Sequence, residues 1–207
     1  DGTLIDSAPD IHAAASRTLA AEGLPPLTFD QVRSFIGKGV PHLVERLLEA
    51  SGEDPKGPRH GPMLARFLEG YETAVELTIA YPGVVDALQR LTSDGHRLGI
   101  CTNKPYRPAM AVLDHLDLSR FFGAVAGGDT LAIRKPDPAP LHYVLDQLGG
   151  GTAYYVGDSE VDAETATRAQ VPFLLYTEGY RKSPIDALPH AHAFSDWARM
   201  PSLVASK

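Results

Sequence analysis

The sequence has 207 residues, of which 43% are hydrophobic and 22% charged, and a formal net charge of −7. That size and balance fit one globular domain, or one carrying an inserted subdomain, and exclude the disordered and fibrous classes. The acidic residues are scattered and no basic stripe accompanies them, which excludes the electrostatic footprint of a nucleic-acid partner; no apolar run approaches the length of a membrane span, and no leader pattern is visible.

The single cysteine, Cys101, has no partner for an intrachain disulfide, so a reducing, cytoplasmic setting is expected. With no His or Lys beside it in sequence to activate a thiolate, it is expected to serve as a small buried hydrophobe.

In chain order, Asp1 to Ser7 reads as a Gly-containing loop. An Ala-rich stretch with apolar residues at helical spacing then predicts a helix from Pro9 to Glu22, capped by Asp6 or Ser7 and ended by Gly23. Thr28 followed by Gln31 forms a capping box that opens a second helix. Gly37 and Gly39 interrupt it around Lys38, and Pro41 to Ala50 resumes. Ser51 to Pro62 reads as a loop and Pro62 to Leu77 as a further helix, with no strand candidate between Ala8 and Ala80.

Beyond Ala80 the rhythm changes. Apolar runs at Leu98–Cys101, Ala124–Ala126, Tyr154–Val156 and Phe173–Tyr176 alternate with helical patterns at Val84–Thr92, Pro108–Leu116, Pro138–Leu148 and Val161–Ala169. Such alternation marks a parallel sheet covered on both faces. The expected fold class is therefore α/β, a Rossmann-like parallel sheet formed by residues 1–8 and 81–207, with residues 9–80 inserted as a small helical domain. Tyr154, Tyr155, Phe121 and Phe122 are expected in the core, Trp197 packing a terminal helix, and His190 and His192 in a surface loop.

In open parallel sheets ligands gather at the carboxyl ends of the strands. Four loops there carry polar residues of one kind: Asp1-Gly2-Thr3 with Asp6 and Ser7, Thr102-Asn103-Lys104, Arg134-Lys135-Pro136-Asp137, and Gly157-Asp158-Ser159 with Asp162. Singly, each has a plain reading: a turn at Asp1-Gly2, a helix cap at Thr102 or Ser159, a solvated lysine at Lys135. Together they supply carboxylates, a hydroxyl and amide pair and a lysine, suited to holding a hard cation and a phosphoryl group.

This set and order resemble the haloacid dehalogenase superfamily over essentially the whole chain. The family pattern is Asp-x-Asp-Gly-Thr, a Thr or Ser after the second strand, a Lys, and Gly-Asp-x-x-x-Asp; it is matched by Asp1-Gly2-Thr3, Thr102, Lys135, and Gly157-Asp158 with Asp162. The stretches DGTLIDSAPD at Asp1–Asp10, Phe35-Ile36-Gly37-Lys38-Gly39, Thr102-Asn103-Lys104-Pro105 and Gly127-Gly128-Asp129 are similar to the phosphoglycolate phosphatase subfamily. That resemblance implies a small helical cap domain and magnesium-dependent hydrolysis of a small phosphorylated substrate through an aspartyl-phosphate, with no membrane or nucleic-acid partner.

By the same resemblance the nucleophile is an Asp two positions before Asp1, so an apolar strand and that Asp are expected upstream. Asp1 would be general acid and base and give magnesium its main-chain carbonyl, with Asp158 as side-chain ligand. Asp162 would stand behind it, holding Lys135. Thr102 and Asn103 would bind phosphoryl oxygens, Lys135 would balance charge, and Lys38 would meet the glycolate carboxylate. The alternatives are a pyrophosphatase, a phosphosugar phosphatase or mutase, and a non-catalytic binding protein on the same scaffold. Monomer and homodimer stay open.

Overall fold

The computed structural model describes residues 1–204. A two-residue strand, β1 (Ile5–Asp6), leads into four helices: α1 (Ala8–Ala21), α2 (Phe29–Ser34), α3 (Val40–Ala50) and α4 (His60–Tyr71). The chain returns through β2 (Ile79–Ala80) and then alternates α5 (Val84–Ser93), β3 (Leu98–Cys101), α6 (Tyr106–His115), β4 (Phe122–Ala126), α7 (Ala139–Gln147), β5 (Tyr155–Gly157), α8 (Glu160–Ala169), β6 (Phe173–Tyr176), β7 (His192–Phe194) and α9 (Met200–Val204). The α/β class expected from the alternation is the one observed.

Local chemistry explains several boundaries. Thr28 and Gln31 exchange hydrogen bonds as a capping box at the start of α2, satisfying donors the first turn cannot. Ser159 and Asp162 do the same for α8. Gly39, at φ 89°, occupies the N-cap of α3 and breaks the chain direction after α2. The helix expected from Pro62 to Leu77 instead runs His60–Tyr71. Its continuation is drawn off because the buried Asp10 carboxylate accepts from the Leu77 N–H at 3.0 Å and the Thr78 hydroxyl at 2.6 Å.

The expectation of no strand between Ala8 and Ala80 is corrected by β2, which pairs antiparallel with β1 in the register Ile5↔Ala80 and Asp6↔Ile79. Two residues carry no alternation to read, and their ladder exists only because the chain folds back on itself. Tyr154 is exposed, so only its neighbour Tyr155 joins the core. His192 belongs to an edge strand rather than a loop. Trp197 is buried in a single 3₁₀ turn that precedes α9.

The helices α1 to α4 enclose a hydrophobic cluster of their own, built around Val44, Leu47, Leu48, Met63 and Phe67. The sheet half has two other clusters, one beneath α5 and α6 and one between α7 and α8. Its strands form two parallel pieces, β3–β4 and β5–β6–β7. Between β3 and β5 runs a trench of about 400 Å³, walled by Leu98 and Ile100 on one side, Tyr155 and Val156 on the other, and Leu88 and Leu91 of α5. All of β3 is only partly buried, unusual for a strand of a parallel sheet, which is normally covered on both faces. Asp1, Thr102, Lys135 and Asp162 stand at one end of this trench. Among the described residues no helix is long and apolar enough to cross a membrane.

Candidate active site

The four loops meet at the strand ends, around a cavity of about 70 Å³ that Asp1, Thr102, Asn103, Lys104, Lys135, Asp158, Ser159 and Asp162 help to line. The first loop is turned by Gly2, whose φ of 75° favours glycine, with its N–H bonded to the Ile5 carbonyl at 2.8 Å. A side chain there would also overlap the Asp158 carboxylate, so the glycine lets backbone and acid touch. Thr3 donates to Asp158 Oδ1 at 2.6 Å, and Asp1 Oδ1 accepts from Ser7 Oγ at 2.5 Å and Lys104 Nζ at 3.3 Å.

Asp158 is almost completely buried. It accepts from Thr3 and, through Oδ2, from the Tyr180 N–H at 2.6 Å, yet no lysine or arginine pairs with it among the described residues. Burial first, and then the Asp162 charge, push its carboxyl up to about 6. A buried carboxylate with hydrogen bonds and no counter-cation is costly unless a cation joins it, and its oxygens beside the Asp1 loop are the hard donors magnesium prefers. The described residues contain no group of three or more His, Cys, Asp or Glu that could hold a metal.

Asp162 is the hub behind it. Its Oδ2 accepts from the Asp158 N–H (3.2 Å), the Ser159 N–H (3.1 Å) and Ser159 Oγ (2.6 Å), and its Oδ1 accepts from Lys135 Nζ at 2.7 Å. Gly157 permits this closeness, since a Cβ there would strike the Asp162 side chain. Burial, the largest influence, disfavours the charged carboxylate, but the Lys135 ammonium together with hydrogen bonds from Lys135, Ser159 and Tyr155 holds Asp162 below its usual range. Burial is also the largest influence on Lys135 and opposes its charge, but Asp162, through its charge and its hydrogen bond, acts with the other nearby groups to raise the lysine. Tyr155 completes the group: its hydroxyl accepts from Lys135 at 2.8 Å and lies 3.1 Å from the Cys101 carbonyl. Cys101 itself is half-buried with its thiol pushed up mainly by burial, as a structural cysteine should be.

The expected residues Asp1, Thr102, Asn103, Lys135, Asp158 and Asp162 are thus brought together. Asn103 has a different contact set from the one expected. Its Nδ2 donates to the Lys135 carbonyl at 3.0 Å and to the Gly37 carbonyl at 3.1 Å, so its amide ties the sheet to the α2–α3 loop. Lys38, expected to meet a carboxylate, is exposed and lies outside the cavity lining, while its neighbours Gly37 and Gly39 are within it. A lysine flanked by two glycines promises close backbone approach, and here the backbone of Gly37 makes the contact.

Four residues had no role expected from sequence: Lys104, named only within the second loop, and Tyr71, Tyr180 and Arg33. Lys104 is buried, pairs with Asp1, and lies 4.2 Å from the ring centroid of Tyr71, whose hydroxyl it also meets. Burial pulls its ammonium down to about 7, opposed by the Asp10 carboxylate. Tyr180 accepts from the Ser7 and Ala8 N–H groups at 2.9 and 3.0 Å and donates to Asp6 at 2.7 Å. Arg33 of α2 donates to the Gly179 carbonyl at 2.9 Å and sits over the Tyr180 ring. Tyr180 lies just beyond β6, so the rule that singled out the other strand-end loops pointed here as well.

Residues 1–176 match the model of the haloacid dehalogenase-like hydrolases. The chain belongs to that family. Within it, the chain is 51% identical over 204 residues to a phosphoglycolate phosphatase of Rhodobacter capsulatus, covering 99% of this chain and 93% of that protein. A phosphoglycolate phosphatase of Rhodospirillum rubrum is 41% identical, with 97% and 86% covered. Among solved structures, a predicted phosphoglycolate phosphatase from Haemophilus somnus superposes with a TM-score of 0.91 at 26% identity, covering 98% of this chain and 94% of that one. The haloacid dehalogenase-like fold accounts for the site's position at the carboxyl ends of the strands.

Proposed function

We propose that this chain is a magnesium-dependent phosphoglycolate phosphatase acting in the cytoplasm. The observation that carries the chemistry is Asp158: a buried carboxylate without a protein cation, held by Thr3 and Tyr180, beside Asp1 and the Lys135–Asp162 pair. The substrate reading rests on relatives of that name at 41% to 51% identity over nearly the whole chain. The helical segment of residues 9–80 acts as a cap over the site.

Asp158 and the main-chain carbonyl of Asp1 would hold magnesium, which supplies positive charge to the phosphoryl oxygens. The apolar trench between β3 and β5 suits one more parallel strand; we place there the strand expected upstream of Asp1, with its Asp emerging beside Asp1. That Asp forms a bond to phosphorus as the ester P–O bond breaks, and Asp1 gives a proton to the departing alkoxide. Asp1 then takes a proton from water, which attacks the acyl phosphate, releasing phosphate and the free carboxylate. Thr102 contacts the phosphoryl group, Lys135 balances its charge, and Asp162 keeps Lys135 in place.

The test is phosphate release by the full-length protein with magnesium across small phosphoesters. The highest kcat/KM is expected for 2-phosphoglycolate. A higher value for pyrophosphate or a sugar phosphate would replace the substrate assignment, and turnover unaffected by chelation would remove the metal.

A further inference from the structure

We propose that Lys104 is the specificity residue that recognises the leaving group's carboxylate, so that the enzyme selects phosphoesters bearing an acid one carbon from the ester oxygen. The proposal rests on the phosphatase reading above and deepens it.

Two ammonium groups, those of Lys104 and Lys135, line the cavity. Lys135 faces the sheet side, bonded to Asp162 and Tyr155. Lys104 reaches the helical side, where it meets the hydroxyl and ring face of Tyr71 from α4. If the phosphoryl group lies between Asp158 and Lys135, the remainder of the substrate extends toward the helices. The wall there is Ile11, Ile36, Val40, Leu43 and Tyr71, with the backbone of Gly37 and Gly39, and contains no charge.

The helical segment's nearby cations are committed elsewhere. Arg33 donates to the Gly179 carbonyl, and Lys38 is exposed. Arg134 of the third loop lies against Gly39 but is exposed and outside the cavity lining, so within the lining a carboxylate entering this end meets Lys104. The side chain is only 4% exposed, so water screens it little and an ionic contact there counts for more than on the surface. An ammonium has three N–H groups; Asp1 and Tyr71 take two, leaving one for a ligand.

Its position also sets a length. Lys104 Nζ is 3.3 Å from Oδ1 of Asp1, the residue whose carboxyl is assigned to protonate the ester oxygen. A carboxylate separated from that oxygen by a single methylene can reach Nζ while the ester oxygen stays at Asp1. A longer or neutral leaving group loses the contact and leaves the buried charge without its second anion.

The experiment compares 2-phosphoglycolate with 2-hydroxyethyl phosphate, which replaces the carboxylate by a neutral group of similar size, using the full-length protein with magnesium. Lys104→Met is expected to lower kcat/KM for both esters, because Lys104 also pairs with Asp1, but to lower it about 30-fold more for 2-phosphoglycolate, mainly through KM. Lys104→Arg should keep most of the preference. Equal losses on both esters would overturn the proposal, because Lys104 would then act through Asp1 alone. An unchanged ratio would also overturn it, as would a ratio that moves with Lys38→Ala and not with Lys104→Met. If the Met variant does not fold, Lys104→Gln is read by the same ratio. A wild-type enzyme with no preference for 2-phosphoglycolate would instead refute the parent reading, before any variant is made.

Discussion

The sheet side of the cavity carries its polar groups on short loops at strand ends, while the helical side presents apolar side chains and backbone. On the sheet side, Asp158, Asp162, Lys135 and Thr3 hold one another through hydrogen bonds of 2.6 to 3.2 Å. On the helical side, the ties to the sheet include Asn103 to Gly37, Arg33 to Gly179, Lys104 to Tyr71, Tyr180 to Ala8 and Arg107 to Glu72. Each side also has its own hydrophobic cluster. The groups suited to phosphoryl chemistry sit on the strand-end loops, and the helical half meets them through these contacts; under the proposed function that half is a cap that opens and closes over the site.

This contrast is broken or sharpened most strongly at Asp158. Asp158→Ala should cut magnesium-dependent phosphate release by about 1,000-fold or more, since charge at the reacting group is the largest contribution of such a site. Single-turnover assays at saturating magnesium measure it, and retained turnover would dissolve the distinction between the two sides.

Next comes the Lys135–Asp162 pair. Lys135→Met leaves a buried carboxylate alone and should cost about 3–5 kcal/mol in urea melts. The pair also sets a pH dependence. Asp162 is held below its ordinary value, so on acidification the unfolded chain binds its proton first. Stability from this residue is therefore complete above the usual carboxylate range and declines as pH falls through the lower folded value. Lys135 is raised, so its share is complete below the usual lysine range and is lost only as pH climbs through the higher folded value. Asp162→Asn should flatten the acid limb of stability against pH; an unaltered limb would assign it to other carboxylates.

Within the helical half, Leu47→Ala should cost about 2–5 kcal/mol by opening a cavity in that cluster. Hydrogen exchange should quicken across α1 to α4 and leave β5 and β6 protected. Exchange rising equally in both halves would show that they unfold as one unit. Lys38→Ala belongs at the small end, with changes in kcat/KM below about twofold, as for an exposed side chain outside the cavity. A larger loss would put Lys38 back at the substrate.

Residues that work within their own loop were legible from sequence. Asp1-Gly2-Thr3, Thr102, Lys135 and Gly157-Asp158 with Asp162 each follow an apolar run or fall in a fixed order between such runs, and the capping pattern of Thr28 and Gln31 is complete within four residues. Alternation of strand and helix likewise announced the α/β class, because burial on both faces demands it.

What acts across the chain was not legible. Lys104 beside Thr102 is one more polar loop residue until α4 brings Tyr71 onto it, and Tyr180 acquires its role only when β6 delivers it to Asp6, Ser7 and Ala8. Ile79 and Ala80 become a strand solely by meeting β1. The sequence by itself determined which groups stand at the strand ends, since local hydrogen bonding and hydrophobic period are written in neighbouring residues. Only the tertiary structure decided that Lys104 is buried in the cavity and Lys38 exposed outside it, because burial and partner choice depend on which distant segments pack together.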